Sequence, residues 1–275
     1  MRRRKVEPST DWLDGVVHPD IEWLDDQVID GVIERSFRIT RPGRRVPGVL
    51  WLPPSGSAAV PLVLLGHGGS GHKRSVRVVE HARWFIKHAG FAAVAIDGPY
   101  HGERVPVPLQ AEQYQARIAE VGIEVILDRM IEDWQAAIDA AVISGRVDSD
   151  RLAYLGMSMG ARFGLALAAE MNDRFRCLVL GKFGLRQCSA MHPGMAVPER
   201  VARDAARITA PLLLHVQHDD QIFPRDGQLE LFGLIGSQTK HLVTDAGPHT
   251  HTTPAAITRW RTFIAEHLTD DSREP

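Results

Sequence analysis

The chain has 275 residues, 44% of them hydrophobic and 24% charged, with 32 Lys and Arg against 34 Asp and Glu. That hydrophobicity, with a net charge of −2, excludes an intrinsically disordered chain, and the near-neutral balance gives no electrostatic ground for a nucleic-acid partner. Cys177 and Cys188 are the only cysteines, too few for a disulfide framework and in keeping with a reducing compartment.

The basic run Arg2-Arg3-Arg4-Lys5 is not followed by the apolar stretch of a secretory signal. No apolar run approaches the roughly 18 residues of a membrane span, so the expectation is a soluble, cytoplasmic protein. Residues 1–30 read as an N-terminal extension. Val32–Thr40 and Val46–Leu52, joined at Arg41-Pro42-Gly43, predict an antiparallel hairpin. Pro61–Gly66 is a continuous apolar run, as in a strand covered on both faces. Ser75–Ala89 has helical spacing, and Phe91–Ile96 is another buried strand. Ala111–Ser144 is a long helical stretch, broken near Gly122. Then strand and helix alternate. The strands are Arg151–Leu155, Arg176–Leu180, Pro211–Val216 and His241–Thr244, and the helices are Met159–Met171, Val197–Ile208, Asp226–Ile235 and Thr253–Leu268. This alternation predicts an α/β fold, a mostly parallel sheet with helices on both faces and an antiparallel edge. Ligands of such sheets bind outside the carboxyl ends of the strands.

The turn after Leu155 reads Gly156-Met157-Ser158-Met159-Gly160, a G-x-S-x-G between a predicted strand and a predicted helix. A serine there is forced into a strained turn with its hydroxyl at the top of the sheet, and the glycines leave the room that the turn needs. The alternative is a Gly/Ser turn used for tight packing. A serine nucleophile needs a base, and the base needs an orienting group. Both residue types stand on later strand-end turns: Asp219 and Asp220 after Val216, and His249 and His251 after Thr244. The Gly-rich stretch Gly66-His67-Gly68-Gly69-Ser70-Gly71 after the Pro61–Gly66 strand offers backbone N–H groups for an oxyanion. It lacks both nucleotide-binding glycine patterns.

With Ser, acid and His in this chain order, the sequence resembles an α/β-hydrolase of the serine-esterase type, nearest to the dienelactone-hydrolase and prolyl-oligopeptidase-like esterase branch. Asp97-Gly98-Pro99-Tyr100-His101-Gly102 also resembles a loop of that fold. The resemblance implies Ser158 as nucleophile. It favours Asp220, four residues before Pro224, over Asp219, and His249, within a Gly-Pro-His turn, over His251. It places the oxyanion donors at Met159 and Gly69, with Gly68 as the alternative to Gly69. One departure stands out: dienelactone hydrolases use a cysteine where this chain has Ser158, which weakens a claim to that particular reaction.

The expectation is therefore one α/β-hydrolase domain over residues 1–275, with cap insertions at 103–122 and 181–198. Phe183 and Met191 of the second insertion, with His251, are candidate substrate contacts, weighed against simple packing of the lid onto the body. Lys182, Arg186 and Arg162 read as solvated surface, or else as attraction for an acidic substrate. The expected activity is hydrolysis of a small carboxylic ester through an acyl-enzyme, with no cofactor and no metal. His215-x-x-His218 and His249-x-His251 lack a metal-site spacing. The same triad would serve amide, thioester, lactone or C–C substrates, and a non-catalytic ligand-binding protein is the alternative of a different class. No membrane or nucleic-acid partner is expected, and a homo-oligomer is compatible with the sequence but not legible in it.

Overall fold

A computed structural model describes residues 20–54, 56 and 58–269. The basic run at Arg2–Lys5 and most of the expected N-terminal extension lie outside the described residues. Nine strands form one sheet: β1 (Ile21–Ile29), β2 (Val32–Arg41), β3 (Arg44–Leu52), β4 (Val60–Gly66), β5 (Ala92–Ile96), β6 (Val147–Met157), β7 (Phe175–Gly181), β8 (Leu212–Gln217) and β9 (Lys240–Asp245). Their spatial order is β1-β2-β3-β5-β4-β6-β7-β8-β9. The first three strands are antiparallel, β3 runs antiparallel to β5, and everything from β5 to β9 is parallel. This is the α/β-hydrolase fold.

The predicted extension holds one strand that the sequence reading did not anticipate. β1 pairs with β2 through a two-residue turn, Asp30-Gly31, with both residues at positive φ (52° and 76°). Asp-Gly is the pair that a hairpin turn of the primed type demands. Acidic residues and a register shift between Trp23 and Asp26 break the alternation that would have marked the strand. Trp23 anchors it, edge-on to Phe37 at 5.6 Å and under the Arg35 guanidinium at 4.5 Å.

The central parallel strands β4, β5 and β8 are apolar on both faces because helices cover both. Leu62 and Leu64 of β4 join one core, and Val63 and Leu65 join the other, the period-2 division of a strand between two layers. The first layer is closed by α2 (Ala111–Val121), α3 (Ile123–Ile143), α4 (Met159–Glu170), α5 (Pro198–Arg207) and α6 (Arg225–Leu234). The second is closed by α1 (Val76–Trp84), its π-helical continuation Phe85–Ala89, and α7 (Pro254–Thr269). Gly122 separates α2 from α3 at φ 96° and ψ 123°, the break expected there. Among the described residues no helix is long and apolar enough to cross a membrane.

The chain leaves β4 in opposite senses on its two sides, so the carboxyl ends of β4 and β6 flank the topological switch of the sheet. Gly66 and Gly156 are cross-strand partners at that point. The buried Tyr154 ring fills the space beneath, and its hydroxyl donates to the Gly160 carbonyl at 2.8 Å. A Cβ at Gly164 would lie 2.1 Å from Tyr154 Cε1. Gly164→Ala is thus expected to cost about 1–3 kcal/mol through overpacking. A urea midpoint lowered with an unchanged m-value checks this; an unshifted midpoint would contradict the close fit.

Candidate active site

Ser158 occupies the turn between β6 and α4 at φ 59° and ψ −119°, a conformation non-glycine residues rarely hold. Its N–H donates to the Gly181 carbonyl at the end of β7, at 2.9 Å. The turn therefore faces the hydroxyl away from the sheet, and Met159 begins α4 with an N–H that belongs to the unsatisfied first turn.

His249 stands on the loop after β9, with Nε2 2.9 Å from Ser158 Oγ and Nδ1 2.8 Å from Asp220 Oδ2. An ionised carboxylate only accepts, so Nδ1 carries the proton and the Nε2 lone pair faces the serine hydroxyl. Asp220, on the loop after β8, is itself fixed. Its Oδ1 accepts from the N–H groups of Ile222 and Phe223, each at 2.8 Å. Its Oδ2 also accepts from Gln228 Nε2 at 3.2 Å. Gln228, a buried residue of α6, escaped the sequence reading, since nothing in its spacing points toward Asp220.

Of the paired alternatives, the structure joins Asp220 and His249 to Ser158. Asp219 instead accepts from Gly247 N–H at 2.9 Å, 28 residues away, and tethers the acid loop to the histidine loop. His251 is exposed, its ring against Gly247. Phe183 is buried in the core, edge-on to Phe223 at 5.2 Å, and Met191 is half-buried against the same core.

The expectation of solvated surface fails for two of the three cations. Lys182, at φ 50° just beyond β7, is buried, and its ammonium donates to His249 O at 2.9 Å, to Thr252 Oγ1 at 2.8 Å and to His251 O. Three N–H groups thus meet three oxygens, and all three belong to the histidine loop. Burial, aided by the charge of Arg77, pushes the Lys182 pKa down to about 8. Arg162 is buried too, donating to the Met195 carbonyl with its guanidinium over Phe183. Arg186 alone is exposed, paired with Glu230. The charge of Lys182 and Arg162 is masked by partners distant in sequence, so composition alone cannot reveal their burial.

The Gly-rich loop after β4 is tied down by histidines. His67 Nδ1 lies 2.8 Å from Gly68 O, and its Nε2 accepts from Gly98 N–H at 2.8 Å. Gly71 N–H also donates to Gly68 O. In a trans peptide the Gly69 N–H must point opposite to the Gly68 carbonyl, away from these contacts. His101 Nε2 lies 2.8 Å from Gly69 O. The loop ends on the buried Lys73, whose Nζ reaches Asp97 Oδ2 and Glu103 Oε1, both at 2.6 Å. Burial pushes the Asp97 carboxyl up, but the Lys73 ammonium and the N–H donors of Lys73 and Glu103 outweigh it and hold the group below the usual carboxylate range.

The two expected cap segments pack on each other. His192 N–H donates to Gln115 Oε1 of α2 at 2.8 Å, and Gly194 lies against Ala119.

The dienelactone hydrolase family profile matches residues 47–242. A cold-adapted esterase from an Arctic intertidal metagenomic library, solved with bound PEG, superposes with a TM-score of 0.75 at 32% identity, over 90% of this chain and 99% of that one. The acetyl xylan esterase of Paenibacillus sp. R4 shares the fold, with a TM-score of 0.65 at 20% identity over 90% of this chain and 87% of that one. The quorum-quenching protein AidA of Acinetobacter baumannii (strain MDR-ZJ06) is 26% identical over 159 residues, 54% of this chain. The match spans about half of that relative's length, 47%.

Burial lowers the pKa of three imidazoles: His67, to about 4, His81 of α1, to about 3 with help from Arg261, and His215 of β8. Their folded pKa values lie below the unfolded value of about 6.5, so the unfolded chain binds more protons and stability falls as pH drops below about 6.5. The expected loss is up to about 1.4 kcal/mol per pH unit for each ring. Urea unfolding at pH 7, 6 and 5 tests this; a free energy constant over that range would show that the rings titrate normally.

Proposed function

The chain belongs to the dienelactone hydrolase family, and from that premise we propose that it is a serine hydrolase that cleaves carboxylic esters through an acyl-enzyme on Ser158. The observation that carries the reading is the unbroken chain of contacts from Ser158 Oγ through His249 to Asp220, at 2.9 and 2.8 Å. Esterase chemistry is supported by the fold and by the 32% identical esterase.

In this reading His249 Nε2 takes the hydroxyl proton as Ser158 Oγ attacks the ester carbonyl. Asp220 holds the ring's tautomer and stabilises the imidazolium that forms. The N–H groups of Met159 and Gly69 receive the oxyanion, the former helped by the N-terminus of α4. The tetrahedral intermediate collapses, the ester C–O bond breaks, and the imidazolium proton passes to the departing alkoxide. Water, deprotonated by His249, then attacks the acyl-enzyme. The carboxylic acid leaves and the proton returns to Ser158. Gln228 and the Ile222 and Phe223 amides keep the Asp220 carboxylate oriented, and Lys182 is a positioning residue for the histidine loop.

A fluorophosphonate probe is expected to label the wild type and not Ser158→Ala, whose kcat on p-nitrophenyl acetate should fall at least about 10³-fold. Labelling that survives the substitution would remove Ser158 from this role. Thioester, anilide and lactone substrates assayed in parallel separate the ester reading from other bonds that the same apparatus can break.

For Lys182→Met we expect kcat to fall about 10- to 100-fold with KM nearly unchanged, because a displaced His249 harms the chemical steps more than binding. A rise confined to KM would place Lys182 with the substrate and not with the histidine.

A further inference from the structure

A cavity of about 570 Å³ opens beside the β2–β3 turn, bounded by the loop from Pro99 to Arg104 and by the first half of α3. None of these walls carries Ser158, Asp220 or His249. Five guanidiniums line it, those of Arg41, Arg44, Arg45, Arg104 and Arg129, against two carboxylates, those of Glu103 and Asp133.

Both carboxylates are already engaged. The buried Asp133 accepts from Arg44 Nε on one oxygen at 2.8 Å, and its other oxygen faces Arg104 Nη2 at 2.8 Å as an ion pair without hydrogen-bond alignment. Glu103 is turned to Lys73 Nζ at 2.6 Å. Glu132, just outside the cavity, takes Arg44 as well. Among the described residues Arg41, Arg45 and Arg129 pair with no carboxylate. Arg41 gives one Nη2 bond to the Glu132 carbonyl at 3.3 Å, while its Nε is buried with no acceptor. A buried donor without an acceptor is destabilising, and three cations without carboxylate partners around one space repel each other, a repulsion that solvent screens at the exposed Arg45 and Arg129. An oxyanion between them would relieve both costs, since the guanidinium fork matches carboxylate and phosphate oxygens. Tyr100, Ile126 and Met130 add an apolar wall, and the volume falls in the range of roughly 300–1,000 Å³ typical of small-molecule sites.

We propose that this cavity binds a small organic anion, a carboxylate or phosphate on an apolar body, through Arg41, Arg45 and Arg129. The proposal does not depend on the Ser158 reading.

Isothermal titration with phenyl phosphate, benzoate and inorganic phosphate tests it at fixed ionic strength. Saturable 1:1 binding of phenyl phosphate or benzoate is expected, tighter than that of inorganic phosphate, and the tighter of the two organic probes identifies the head group. The Arg45→Gln/Arg129→Gln double variant should raise its Kd at least about tenfold, and Ser158→Ala should leave it unchanged. If the double variant does not fold, Arg129→Gln alone, at an exposed position of α3, gives the same readout. Absence of binding for all three probes at millimolar concentration would overturn the site. So would wild-type affinity in the arginine variants, loss of binding in Ser158→Ala, or an inorganic phosphate affinity equal to or above that of both organic probes.

Discussion

Ser158 is held at φ 59° and ψ −119°, a backbone state that costs a non-glycine residue about 1–3 kcal/mol and persists only where its surroundings over-determine it. Here they do. The Gly181 carbonyl takes the Ser158 N–H, and Tyr154 holds the Gly160 carbonyl just beyond the turn. A Cβ at Gly160 would lie 2.5 Å from Gly66 O, so the start of α4 and the end of β4 approach to backbone contact. The nucleophile turn and the Gly-rich loop are therefore set against each other by the same close packing.

Gly181 and Lys182 extend this constraint to the histidine. One residue's carbonyl holds the Ser158 backbone, and the next residue's ammonium gathers three oxygens of the loop that carries His249. Asp219 bonded to Gly247 and Gln221 bonded to the His249 N–H, at 3.0 Å, fasten that loop from the other side. Ser158 and His249 lie 91 residues apart in the chain, yet the end of β7 references both. A charge removed from water at this place is affordable because every proton on it finds an oxygen.

The parallel strands were legible because burial on both faces leaves an unbroken apolar run, as in β4 and β8. The meeting of Ser158, Asp220 and His249 was legible because each stands on a turn at the carboxyl end of a strand, where parallel topology forces convergence. β1 was not, since its bulge and its acidic residues erase the period, though Asp30-Gly31 stood as a turn signal. Lys182, Arg162 and Gln228 were not, for a different reason. Whether a polar side chain is buried depends on oxygens that other loops bring to it, and a single sequence records no trace of that encounter.

The packing of α2 against the segment between β7 and α5 has a bearing on how this scaffold can be diversified. Each segment satisfies part of the other, through Gln115 and the His192 N–H, and Arg162 clasps the second by the Met195 carbonyl. The second segment is also fixed to the body by Leu185 N–H on the Gly227 carbonyl and Cys188 N–H on the Ile222 carbonyl. A chimera that exchanges one segment alone would leave a polar group unmatched at the seam. An exchange of both segments that retains Arg162 and Lys182 would keep the bond between the segments and leave the hold on the histidine loop in place.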